Sequence, residues 1–168
     1  YELTTTFSEG NQYNTIYDFT KPLYDSDHVL IYRLWATQDG DVWRLIPNTI
    51  FFNNGDEILY NYDHTKYDFS IFLEPNFPLN TLTANERSLY LNNQTFRVVI
   101  IPGAFAGRTD FSDYDATIKF LGLQNEPIKK INFIGIQEIM TLNSKLNTEL
   151  EVVIKMAKTP LAYPKDQS

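Results

Sequence analysis

"VLIYRLWATQDGDVWRLIP", residues 29–47, holds two apolar runs hinged on a short polar centre. The first run is apolar on both faces, with Val29, Ile31 and Trp35 on one and Leu30, Tyr32 and Leu34 on the other. That pattern marks a central strand covered on both sides. Asp39-Gly40 is a strong hairpin signal, because both turn residues must tolerate positive φ. The return run "VWRLI" stops at Pro47, which has no N–H to give to a ladder. A hairpin here brings Arg33 and Arg44 close together, with Trp35 and Trp43 beside them. Sheets ordinarily pack such residues with guanidiniums lying over aromatic faces. The hairpin is therefore scaffold first, with Leu30, Ile31, Leu34 and Leu45 in the core. Arg33, Arg44, Trp35 and Trp43, together with Tyr60 and Tyr62 further on, are the candidate contact residues.

Outward from the hairpin the same period-2 alternation recurs. "YELTTTFS" and "YNTIYDF" precede it, and "TIFF", "ILYNYDH", "YDFSIFLE" and "QTFRVVIIP" follow it. "NNGDE" is a second tight turn, around Asn54-Gly55. "PNFPLNTLTANERSLYLNN" holds two prolines and several helix breakers, and reads as a long connection. "FSDYDATIKFLG" has a different period. Ser112 is a suitable N-cap, Tyr114, Ile118 and Leu121 share a face, and Gly122 is placed as the stop. "IKKINFIGIQEIM" and "ELEVVIKMA" read as two further strands before a proline-bearing tail at 159–168. The expectation is an all-β fold, an antiparallel β-sandwich of about nine to ten strands with one short helix over Asp113–Leu121. One domain over residues 1–168 accommodates it.

The 168 residues are long enough to bury a real core, and an aromatic content of 15% suits pleated, half-buried surfaces. A net charge of −7 argues against nucleic acid as a partner, because such binding needs a basic stripe. No apolar run approaches the length of a bilayer crossing. The absence of Cys removes disulfides, thiol catalysis and Cys-ligated metals.

His28 and His64 each stand alone beside acidic residues, with no second His at metal-ligand spacing. No Gly-x-Ser-x-Gly elbow supplies a nucleophile. The acidic turns "DSD", "DGD" and "NNGDE" lack the twelve-residue calcium-loop pattern, and turn chemistry already explains their residues. A structural cation bridging two turns stays open. No catalytic residue, organic cofactor or catalytic metal is expected, and the chain is expected not to be an enzyme.

The segment from "YDSDHVLIYRLW" through "DVWRLIPNTIF", "YNYDHT", "IFLEPNFPLNTL" and "QTFRVVIIPGAF" to "FSDYDATIKFLGL" resembles a set of small exported lipoproteins of Bacteroidota. The resemblance covers Tyr24 to Leu123 and stops at Gln124. In that family a lipoprotein signal peptide, often followed by a collagen-like Gly-x-y stretch, precedes the domain. Some members carry a label of the dihydrolipoamide dehydrogenase type, which the residues here reject. That chemistry needs a Gly-x-Gly-x-x-Gly loop and a redox Cys pair, and this sequence has neither.

What the resemblance implies is a setting: the outer membrane of a Gram-negative cell, at the surface, with a lipid anchor upstream of Tyr1. The sequence opens on Tyr1 in strand register rather than on Met, which agrees with an upstream segment. A collagen-like stretch there would associate three chains. The expected role is a non-enzymatic surface module working through protein contacts in an envelope assembly or adhesive layer. The alternative is a glycan-binding domain that stacks exposed Tyr and Trp on sugar rings.

Overall fold

The computed structural model describes residues 1–105 and 110–131. Nine strands run through them: β1 (Glu2–Thr5), β2 (Asn14–Asp18), β3 (His28–Ala36), β4 (Val42–Leu45), β5 (Asn48–Phe51), β6 (Glu57–His64), β7 (Asp68–Pro75), β8 (Gln94–Ile101) and β9 (Lys130–Ile131). Two short helices join them, α1 (Ala84–Tyr90) and α2 (Tyr114–Phe120). The described residues fall within one compact unit, Tyr1–Asn132. Most of "IKKINFIGIQEIM", all of "ELEVVIKMA" and the tail lie outside the described residues.

The strands form two sheets, a five-stranded one in the order β4-β3-β8-β1-β9 and a four-stranded one in the order β2-β7-β6-β5. Leu3, Val29, Ile31, Phe96 and Val98 of the first pack with Tyr17, Ile50, Ile58, Tyr60, Phe69 and Ile71 of the second in one buried cluster. This is the expected sandwich. Its pairing departs from the expectation at one place, because β9 runs parallel to β1.

A third layer explains why β3 is apolar on both sides. Tyr32, Val99 and Ile101 point away from the inter-sheet core and are covered by Phe111, Tyr114, Ile118 and Leu121. The three α2-region residues expected on one face are therefore the ones that dock. The N-cap is Asp113, whose carboxylate accepts from the Ala116 N–H at 3.0 Å, and not Ser112. Gly122, at φ 68°, ends the helix as expected. The Gly122 N–H donates to Lys119 and the Leu123 N–H to Ile118, the double closure of a Schellman motif.

Helix α1 corrects the expectation of a single helix. Thr83 caps it and Glu86 reaches back to the Thr83 N–H at 2.8 Å, a complete capping box. The prolines that suggested a plain connection, Pro75 and Pro78, lie before the cap, where they break nothing.

The β3–β4 connection spans residues 37–41 rather than a two-residue turn, and only Gly40 takes positive φ there. At "NNGDE" the Gly55 N–H donates to the Phe52 carbonyl and the Phe52 N–H to the Asp56 carbonyl. With Gly55 at φ 88°, this is a three-residue hairpin loop closed by a glycine bulge.

Of the four expected core residues of the hairpin, Ile31 is fully buried. Leu30 and Leu45 are partly buried against the cluster under α2. Leu34 is only half-buried and belongs to neither described cluster.

Candidate functional site

Arg33 and Arg44 are directly opposed on β3 and β4, as the hairpin predicts. Two guanidiniums then share one ring. Arg44 lies 3.6 Å from the Trp35 centroid and Arg33 lies 5.5 Å from it. Arg33 faces into the sandwich beside Phe96, its partner on β8. There its guanidinium sits 4.1 Å from the Tyr60 ring. Its Nε and Nη2 both donate to the Gln94 Oε1, at 3.0 and 2.6 Å. The Gln94 Nε2 is held in turn by the Leu89 and Asn92 carbonyls, which fixes the amide with its oxygen towards the arginine. Burial lowers the Arg33 pKa from its ordinary value, and the Arg44 charge lowers it further. Arg33 is 5% exposed, whereas Arg44 is exposed and Trp35 is at the boundary at 37%.

Trp43 does not join this group. It pairs across from Leu34, so it points to the opposite face of the hairpin. There the Arg97 guanidinium lies 4.0 Å from its ring, and Tyr114 of α2 packs at 5.5 Å. Arg97 bonds the Glu2 carboxylate at 3.1 Å and the Tyr114 hydroxyl at 3.0 Å, and it lies 3.9 Å from Asp41. This arginine was missed in the sequence, because nothing in "QTFRVVIIP" says which residues stand beside it. It is a neutralised, structural cation.

Tyr60 is fully buried, which removes it as a surface contact residue. Its hydroxyl donates to the Tyr90 carbonyl, and its pKa is pushed up to about 12 by burial, outweighing the pull of Arg33. Tyr62 is half-buried and spends its hydroxyl on the Val29 carbonyl at 2.9 Å. Only Trp35, Arg44 and the rim of Trp43 remain open to an incoming group.

The outer face of the four-stranded sheet carries a feature the sequence reading did not single out. Registers Ile16↔Ser70, Asn14↔Phe72, Asn61↔Phe72, Leu59↔Glu74, Thr49↔Leu59 and Phe51↔Glu57 make Ile16, Phe72, Leu59 and Phe51 successive diagonal neighbours. An apolar stripe thus crosses all four strands, with Ile16 59% and Phe51 76% exposed. Asp18, Asp68, Asp63, Glu57 and Glu74 surround it, and this face of β2, β5, β6 and β7 carries no Lys or Arg. The available signal was an apolar residue at positions where alternation calls for a polar one.

His28 and His64 mark strand ends and are exposed. Among the described residues no three His, Asp or Glu side chains group in a way that could hold a metal ion. An open groove of about 930 Å³ runs beside α2 between Val99, Ile118, Leu123 and Pro127, with Arg97 and Tyr114 on its wall. No helix among the described residues is long and apolar enough to cross a membrane. No family model matches the chain, and neither a curated protein nor a solved structure does.

Proposed function

We propose that this domain is a non-enzymatic module of a surface-exposed, lipid-anchored outer-membrane protein. It acts in an envelope assembly or adhesive layer through contact with a protein partner. The observation that supports this best is the stripe Ile16, Phe72, Leu59 and Phe51 with its rim of carboxylates. A flat apolar row with a charged border suits a protein face, where the centre excludes water and the rim selects the partner. The partner it fits is a protein surface with an apolar ridge flanked by Lys and Arg. A second copy of the same face would bring carboxylate against carboxylate. Self-association through this sheet is thereby disfavoured; a collagen-like stretch upstream, which often precedes the domain in the family it resembles, would associate three chains where present.

The glycan alternative draws less support from the geometry. Sugar stacking needs a free ring face, yet Tyr60 is buried, Trp43 lies under Arg97, and Arg44 covers Trp35.

The test places a photo-crosslinking residue at position 16 or 51 of the full protein in its native envelope, with position 12 as control. Adducts with one protein species from 16 and 51, and none from 12, are the expected result. Absence of adducts at 16 and 51, with binding of neutral oligosaccharides by the purified domain, would turn the assignment to glycan. Mass spectrometry of the native N-terminus tests the anchor. An acylated Cys is expected, and an unmodified N-terminus without membrane association would defeat it.

A further inference from the structure

We propose that Arg44 and Trp35, with the recessed charge of Arg33 behind them, form a binding site for a side-chain carboxylate of an acidic polypeptide segment. Three observations converge on it. The first is charge. Like charges directly opposite on neighbouring strands disfavour pairing, and here two guanidiniums occupy one opposed position. Neither forms an ion pair among the described residues, in a chain whose net charge is −7. Arg97, on the next strand, holds Glu2 and approaches Asp41, so carboxylates are supplied where the fold needs neutrality. At Arg33 and Arg44 they are withheld.

The second observation is preorganisation. Gln94 Oε1 takes one edge of the Arg33 guanidinium and Tyr60 lies under its plane. The Gln94 amide is itself tied to two carbonyls. These contacts fix the recessed cation without neutralising it and leave Nη1 without a hydrogen bond among the described residues. Guanidinium is the cation best suited to this, since its planar fork matches a carboxylate and keeps its charge when buried.

The third is shape. Trp35 gives its face to Arg44, so the open edge offers a cation rather than a free ring, which suits a compact anionic group more than a sugar ring. This site faces the inter-sheet side of β3, not the outer face of the four-stranded sheet. It stands or falls independently of the partner proposed there, which is basic.

Calorimetric titration of the full chain with acetylated hexaglutamate tests the assignment, with hexalysine, tetragalacturonate and sodium sulfate as comparison probes. Hexaglutamate is expected to bind, more weakly as salt rises, and Arg44→Gln to weaken it by about tenfold. Arg33→Gln also removes core packing, so Arg44→Gln and Trp35→Leu, both at the open edge, are the informative variants. Both are expected to keep the thermal midpoint and lose affinity. No hexaglutamate binding, or binding unchanged by Arg44→Gln, would overturn the site. Tetragalacturonate binding without hexaglutamate binding would overturn the peptide assignment in favour of an acidic glycan.

Discussion

The Tyr32 hydroxyl on β3 donates to the Phe111 carbonyl at 2.6 Å, and by this bond the α2 layer is latched to the sheet beneath it. The same oxygen lies 2.9 Å from the Thr117 hydroxyl, which donates to the Asp113 carbonyl at the start of the helix. Tyr32→Phe keeps the ring and removes the latch. The part-buried Phe111 carbonyl then loses its donor, at a cost of about 1–3 kcal/mol. Urea unfolding measures it, and a loss well under half a kilocalorie would mean that apolar packing alone holds α2.

Ile31 and Leu34 lie on one strand but in different surroundings. Ile31 is fully buried between the sheets, so Ile31→Ala should cost about 2–5 kcal/mol through lost burial and the cavity left behind. Leu34 is half-buried, and Leu34→Ala should cost about 1 kcal/mol or less. Equal losses for the two would show that β3 is buried along its whole length.

Stability should fall in alkali. Burial raises the pKa of both Tyr32 and Tyr60 to about 12, from an ordinary value of 10.0. Below pH 10 both states hold the proton, and the contribution of each tyrosine is fully present. Between pH 10 and 12 the unfolded chain releases protons that the folded chain keeps, so stability drops by up to about 1.4 kcal/mol per pH unit for each tyrosine. Ultraviolet titration of phenolate should find Tyr32 and Tyr60 among the late-ionising tyrosines, and Tyr60→Phe should flatten the decline.

Thr83→Ala removes the cap of α1 at both ends of its box, because the Thr83 hydroxyl accepts from the Glu86 N–H and donates to the Glu86 carboxylate. The expected cost is about 1 kcal/mol. Hydrogen exchange should quicken at Arg87 and Leu91, whose amides close the helix, while the β3–β8 amides stay protected. Uniform acceleration across the domain would contradict a local role.

Phe51→Lys tests the outer face. The side chain is 76% exposed, so stability should change by no more than about 0.5 kcal/mol. Crosslinking from position 16 should nevertheless fall sharply, since the substitution sets a cation and a polar group in the apolar stripe. An unfolded variant would show that this face is covered.

The eight strands from β1 to β8 were all readable from the sequence, because alternation and turn residues are local properties with a fixed period. Gly122 and the Tyr114, Ile118 and Leu121 face were readable for the same reason. Helix α1 had a local signal too, "TANE" at residues 83–86, but prolines outside the cap outweighed it. Of the candidate contact residues, the opposition of Arg33 and Arg44 followed from the hairpin alone.

The partners of those residues came from folding. Tyr60 belongs to the other sheet, Gln94 and Arg97 to β8, and Tyr114 to α2, each tens of residues away along the chain from the hairpin side chain it meets. A strand carries its own period in its sequence, and so declares which side chains share a face. It carries no record of which strand will lie beside it, or which sheet will cover that face. Burial of Tyr60, neutralisation of Arg97 and the uncompensated pair at Arg33 and Arg44 are consequences of that packing, because desolvation and Coulomb attraction depend on distance in space and not along the chain.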